Sequence, residues 1–189
     1  LQQEGIRQGD RVGLLLPNST AIPLSYFASQ KIGAVTVILD ARLKGKELEG
    51  VLQDADLKLL VVHSQLLGEV EEVFKTTIPV PLWVVGAEGE RAFEKRLAPR
   101  PGTLSLPKLN ADDDALILYT SGTTGEPKGV LYSNRSMMLH TFFLIATSPD
   151  LFAFNRKILP VVPLFHANAW SLPYITPLTG CTLILPGAK

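Results

Sequence analysis

Seven short apolar runs punctuate the chain, at Val12–Leu16, Ala34–Leu39, Leu57–Val62, Leu82–Val85, Ala115–Tyr119, Ile158–Val162 and Cys181–Leu185. Several are apolar at consecutive rather than alternate positions. Successive side chains of a strand point to opposite sides of its sheet, so consecutive apolar residues suit a strand covered on both faces. Between the runs the period changes to that of a helix. Leu48, Val51, Leu52 and Ala55 fall on one helical face. Ser64 is placed to cap a helix carrying Leu67, Val70, Val73 and Phe74, with Glu69, Glu71 and Glu72 toward solvent. Ser133 or Asn134 can cap a third helix running to about Ala146. Met138, Leu139, Phe142, Phe143 and Ala146 make that helix apolar over most of its circumference, which predicts that it is buried.

Strands alternating with helices predict an α/β fold with a mainly parallel sheet flanked by helices. The Pro-rich segment Ala98–Asp114, ending in Asp112-Asp113-Asp114, reads as a connecting loop. It either separates two structural units or joins a helix to a strand.

Composition narrows the classes. The chain has 189 residues, 46% hydrophobic and 19% charged, enough for one domain or a large piece of a bigger one. Lys+Arg and Asp+Glu both number 18, so charge gives no reason to expect nucleic acid or an anionic membrane as partner. The single cysteine, Cys181, excludes an internal disulfide and a multi-Cys zinc site. Its apolar run predicts a buried, inert thiol. With no signal-peptide pattern and no bilayer-length apolar stretch, the expected location is cytoplasmic. The chain opens at Leu1 inside an amphipathic pattern and closes just past an expected strand, so both ends read as cut from a longer chain.

The sharpest chemical signal follows the fifth run: Tyr119-Thr120-Ser121-Gly122-Thr123-Thr124-Gly125-Glu126-Pro127-Lys128-Gly129-Val130. Gly122, Gly125 and Gly129 allow tight turns and close approach of the backbone to a ligand. Thr120, Ser121, Thr123 and Thr124 offer hydroxyl donors, and Lys128 a compact positive charge. Successive backbone N–H groups in such a turn can cradle an anion. A polyphosphate at the carboxyl end of a strand fits this set. The spacing is not that of a Walker A loop, which needs Gly-x-x-x-x-Gly-Lys-Ser/Thr.

This segment resembles the signature loop of the adenylate-forming superfamily, which includes acyl-CoA synthetases, luciferase and the adenylation domains of peptide synthetases. The resemblance implies that Thr120, Ser121, Gly122, Thr123, Thr124, Gly125 and Lys128 bind the ATP phosphates, and that Thr120 also lies near Mg²⁺. A second segment, Pro163-Leu164-Phe165-His166-Ala167-Asn168-Ala169-Trp170, follows the sixth run. On its own, a lone histidine among apolar residues is more often structural than catalytic. Phe165-His166 nonetheless matches the family's aromatic-plus-His motif, which implies that His166 is catalytic and sits near the reacting carboxylate. The continuation through Asn168, Trp170 and Leu172-Pro173-Tyr174 is similar to medium- and long-chain fatty acyl-CoA synthetases. It implies that His166, Asn168 and Trp170 line the acyl site. Gly5–Val12, Lys31–Val35 and Asp40-Ala41-Arg42-Leu43 look like structural motifs of the same family and receive no chemistry.

The resemblance thus implies part of the large N-terminal, AMP-binding domain over residues 1–189, with a subdivision to be looked for near 98–114. The full-length activity implied is an AMP-forming fatty acid–CoA ligase using ATP, Mg²⁺ and CoA. An aryl- or short-chain acid–CoA ligase and a non-catalytic nucleotide- or partner-binding module stay open as alternatives. Peripheral membrane contact and a homodimer also stay open for the full-length enzyme. The family's Tyr-Gly-x-Thr-Glu and Thr-Gly-Asp segments do not occur in this chain, nor does the C-terminal domain, so the chain alone is expected to be inactive.

Overall fold

The computed structural model describes residues 1–76, 79–97, 106–121, 127–166 and 168–187. Six strands form one sheet: β1 (Arg11–Leu15), β2 (Val35–Ile38), β3 (Leu59–His63), β4 (Leu82–Val85), β5 (Asp114–Ser121) and β6 (Pro127–Ser133). Their order is β4-β3-β1-β2-β5-β6. The first five in chain order run parallel, with Val12 of β1 opposite both Thr36 of β2 and Leu59 of β3. The last, β6, pairs antiparallel with β5 along the edge. Five of the expected runs thus became strands of one parallel sheet. The strands before and after the segment 98–114 share that sheet, because β5 pairs with β2.

The consecutive apolar residues divide between two cores. Val12, Leu14, Ile38, Val61 and Leu116 pack on one face with Ile22 and Tyr26 of α1 (Ala21–Lys31), Met137 of α4 (Asn134–Thr147) and Ile175 of α5 (Asn168–Thr179). Leu15, Val37, Leu60, Val62 and Ile117 pack on the other with Leu48 and Val51 of α2 (Gly45–Ala55) and Val70 and Val73 of α3 (Leu67–Val73). At Gly13 a Cβ would meet Leu57 Cδ1 at 2.5 Å and Leu60 Cδ1 at 3.0 Å. The missing side chain is therefore what lets Leu57 close over the central strand.

Two helices escape the periodicity. In α1 the buried positions include Ser25 and Ser29, which break the apolar stripe, and Pro23 sits in the first turn, where its missing N–H does no harm. In α5, Pro173 and Pro177 lie inside the helix and read as breakers in the sequence. Antiparallel β6 is also missed. Its residues are mostly exposed, and its Pro, Lys and Gly resemble loop.

Four further expectations are corrected. Helix α4 is not buried: Met138, Leu139, Phe142 and Phe143 are 45–64% exposed, and only Met137 and Thr141 are buried. The sheet and α5 cover one stripe of it, and the described residues supply no second layer over the rest. Its cap is Ser133, whose hydroxyl accepts from the Ser136 N–H at 3.2 Å. The sixth and seventh runs shrink to β7 (Lys157–Ile158) and β8 (Thr182–Leu183), paired in parallel. Beyond β7, Pro160 and Pro163 cannot donate to a ladder, and Val161 is 89% exposed. The turn into α3 is capped by His63, whose ring nitrogen accepts from the Gln65 N–H, and Ser64 begins a 3₁₀ turn instead. Cys181 is half-buried, its thiol donating to the Ala153 carbonyl at 3.2 Å.

Substituting Gly13→Val should overpack the junction of β1 with Leu57 and lower stability by about 1–3 kcal/mol. Chemical unfolding of the chain measures it, and an unchanged midpoint would show that Leu57 can move aside without loss.

Candidate active site

The site begins with topology. From β1 the chain crosses through α1 on one face of the sheet to reach β2. From β2 it crosses through α2 on the opposite face, passing over β1 to reach β3. The segments leaving the carboxyl ends of the adjacent strands β1 and β2 therefore diverge to opposite faces. Such a divergence opens a crevice, the usual ligand position in open parallel sheets. Residues 16–20 form one lip and residues 39–44 the other.

The aromatic-plus-His segment is fastened to both lips. Asn18 donates from Nδ2 to the carbonyls of Pro160 (3.3 Å) and Val162 (3.1 Å), and its Oδ1 accepts from the Leu164 N–H at 2.7 Å. On the other lip the guanidinium of Arg42 lies 5.1 Å from the centroid of the Phe165 ring. Asp40 holds that guanidinium through Arg42 Nε (3.0 Å) and Nη2 (2.7 Å). His166 follows directly and its side chain is exposed. Its N–H donates to the Pro163 carbonyl, and its own carbonyl accepts from the Ala169 N–H.

The next strand over, β5, ends in Thr120 and Ser121. Thr120 is exposed and is the register partner of Lys128, which lies on β6 and also points to no described carboxylate. The signature segment is thus held by strands on both sides. Gly122, Thr123, Thr124 and Gly125 lie outside the described residues, as does the side chain of Ser121. Gly129 is in β6, where a Cβ would come within 3.1 Å of Ile117 and 3.4 Å of the Tyr119 ring. Its small size serves packing against Ile117 and Tyr119 in the neighbouring strand.

The third group expected at the site sits deeper. Asn168 is buried at the start of α5 and donates to the Tyr174 hydroxyl. Its Oδ1 is buried without a partner among the described residues. Asn168, Ala169 and Ser171 have φ of +50°, +42° and +63°, a left-handed stretch that costs non-glycine residues about 1–3 kcal/mol each. Of Trp170 the backbone alone is described, within α5. The structure therefore brings the His166 segment to the same sheet edge as Thr120 and Lys128, while the side chain of Asn168 turns into the protein.

The ring of Tyr174 in turn packs on that of Tyr26 in α1, their centroids 4.5 Å apart. Burial pushes the Tyr26 phenol up to about 12 and raises Tyr174 well above its ordinary value. Tyr119 is raised likewise, first by burial and then by its hydrogen bond to Asp54.

The sequence reading missed Asn18, Asp40 and Arg42 as parts of the site. Asn18 stands in Leu16-Pro17-Asn18-Ser19, an ordinary post-strand turn, and its partners lie more than 140 positions away. The only available hint was that both lips follow strands.

The family model for AMP-binding enzymes matches residues 1–189. The chain belongs to the AMP-binding enzyme family. Its relatives in that family include a long-chain-fatty-acid–CoA ligase of Thermus thermophilus, 38% identical over all of this chain and 35% of the relative. A medium-chain-fatty-acid–CoA ligase of Ectopseudomonas oleovorans is 31% identical over 99% of this chain and 36% of the relative. The crystal structure of a long-chain-fatty-acid-CoA ligase from Archaeoglobus fulgidus superposes with a TM-score of 0.88 at 28% identity, over all of this chain and 37% of the other. The chain thus spans about a third of the length of the relatives it matches. Among its described residues no helix is long and apolar enough to cross a membrane.

The buried phenols of this AMP-binding fold give it a signed alkaline response. Up to about pH 10, the ordinary value, they are neutral whether the chain is folded or not, so their contribution is fully present. Above it the unfolded chain ionises first, and stability is lost as pH rises toward 12. Urea midpoints measured across this window should fall, and Tyr26→Phe should flatten the fall. An identical slope in the variant would show that Tyr26 is not held neutral.

Proposed function

We propose that the protein containing this chain is an ATP-dependent fatty acid–CoA ligase, and that residues 1–189 are part of its N-terminal nucleotide-binding domain. The observation that carries the reading is the convergence at one sheet edge. The flanks of the signature hairpin, Thr120 and Lys128, end one strand away from the crevice that holds Phe165-His166. Support from relatives comes from the two fatty-acid–CoA ligases at 38% and 31% identity.

In this reading a fatty carboxylate attacks the α-phosphate of ATP, giving acyl-adenylate and pyrophosphate. The CoA thiol then displaces AMP to give the thioester. The chain's own residues position two anions and offset their repulsion. Lys128 is exposed, and among the described residues no carboxylate pairs with it, so its charge is free to meet a phosphate. Thr120, Ser121, Thr123 and Thr124 supply hydroxyl donors, and Gly122 and Gly125 allow the backbone to approach. His166, exposed beside the crevice, is assigned to the carboxylate end. Asn168 and Trp170 are assigned to the acyl end.

The fit to Mg²⁺ is partial. Thr120 offers one neutral oxygen, and the described residues contain no cluster of three or more His, Cys, Asp or Glu that could hold a metal. Thr120 would contribute one ligand to an ion that arrives with the triphosphate and neutralises its charge. The remaining oxygens must come from phosphate, water or residues elsewhere in the protein. The use of ATP and CoA supports a cytoplasmic location for the reaction.

Fatty-acid-dependent exchange of pyrophosphate into ATP by the full-length protein tests the reading, and its absence with every acid length would overturn it. Lys128→Ala should lower kcat/KM for ATP at least about tenfold, equivalent to about 1.4 kcal/mol, with the thermal midpoint unchanged because the side chain lies in solvent. His166→Ala should reduce the exchange rate by about 10²-fold or more while ATP binding persists. The 189-residue chain by itself should form no AMP.

A further inference from the structure

We infer that Asn18 and the Asp40–Arg42 pair are positioning residues that seat the Phe165–His166 segment in the crevice between β1 and β2. This rests on the assignment of His166 to the carboxylate end made above. Leu164 anchors the segment in the core, but no strand ladder orders the backbone on either side of it. The β7 strand stops at Ile158, Pro160 and Pro163 lack an N–H, and Val161 is 89% exposed. The carbonyls of residues 160 and 162 and the N–H of residue 164 all turn to one side chain, that of Asn18.

That contact set selects the residue type. A carboxamide is a compact side chain with two donor hydrogens and an acceptor oxygen. Aspartate would keep the acceptor for Leu164 and set a carboxylate oxygen against two carbonyls. Alanine would leave all three backbone groups without a partner. Asn18 also accepts from the Gly187 N–H through its own carbonyl at 3.1 Å, so it ties the stretch after β8 to the same lip.

The opposite lip works by a cation–π contact. The Arg42 guanidinium is planar and is oriented by three side-chain bonds to Asp40, which also accepts from the Arg42 N–H at 2.8 Å. A fixed guanidinium face near the Phe165 ring limits the ring's tilt in a way that a lysine ammonium would not reproduce. Bound from one side at residues 160–164 and from the other at residue 165, the chain presents His166 from a defined point. A displacement of about 1 Å at a reacting centre can cost about 10²-fold in rate. These residues therefore act on catalysis without touching the reactants.

The test uses the full-length protein and two measurements, single-turnover AMP formation at saturating ATP and fatty acid, and equilibrium ATP binding. Asn18→Ala should slow AMP formation at least tenfold with ATP affinity within twofold of the parent. Arg42→Lys and Asp40→Asn should each slow it about threefold, and the double variant should be no worse than either, because both remove one contact. If Asn18→Ala does not fold, the surface pair decides alone. Parent rates in all these variants, with His166→Ala still impaired, would overturn the positioning role and leave the proposed function standing. A parallel fall of rate and ATP affinity would also overturn it, since it would mark general loss of structure. A parent protein that forms no fatty-acid-dependent AMP would remove both readings together.

Discussion

Leu14 and Leu15 are neighbours in β1, both are fully buried, and they belong to different cores. This two-sided burial is the constraint on which the rest of the chain depends. A buried leucine is worth about 2 kcal/mol, and consecutive pairs recur along β1, β2, β3 and β5. Neither face of the sheet can be left to water. Helices α1, α4 and α5 must then cover one face and α2 and α3 the other. Since α1 follows β1 and α2 follows β2, the chain has to leave these adjacent strands in opposite directions. The crevice is a consequence of covering the sheet, and the polar residues at its lips only decide what it contains.

The two halves of the candidate site are ordered by different physics. Thr120 and Lys128 are placed by an eight-residue strand and a seven-residue strand in register, so backbone ladders fix them from both sides of the hairpin. The His166 segment has no ladder. It depends on burial of Leu164 in the core, on side-chain bonds each worth about 1 kcal/mol net, and on the contact of Arg42 with the Phe165 ring. Lys128 and Arg42 differ in the same way. The first has no described carboxylate partner and keeps its charge available, while the second is neutralised by Asp40 and contributes a flat, oriented face.

Much of this was legible before any coordinates. The parallel strands showed themselves because burial on both faces forces consecutive apolar residues, and helix α2 because its burial on one face leaves the 3.6 period intact. Helix α1 was hidden because Ser25 and Ser29 are buried where the pattern wants apolar residues. Helix α5 was hidden by its two prolines, and β6 because an exposed edge strand carries no burial signal. The buried α4 was a wrong inference from a true pattern: composition reports how apolar a helix is, not whether anything covers it. At the site, Thr120, Lys128 and His166 stood out through their local segments. Asn18 did not, since its meaning lies in three backbone groups far along the chain that no local pattern can announce.

The difference in how the halves are held also bears on how they can fail. A hairpin fixed by backbone pairing tolerates side-chain change, because the ladder remains when a hydroxyl or an ammonium is removed. A segment whose polar contacts run through one carboxamide and one guanidinium, beside the buried Leu164, tolerates it less, because those contacts go with the side chains. The energies separate the cases further. Removing Asn18's side chain leaves backbone groups unmatched at about 1–3 kcal/mol each where water cannot replace it, whereas removing Lys128 exposes nothing that solvent does not already reach. Under the proposed function, nucleotide handling and carboxylate handling would therefore be separable, built on the same sheet but not on the same interactions. The strained left-handed positions Asn168, Ala169 and Ser171 lie on the His166 side of that division. Theirs is one more local structure that pairing between strands does not hold and that tertiary contacts, such as the bond from Asn168 to Tyr174, must maintain.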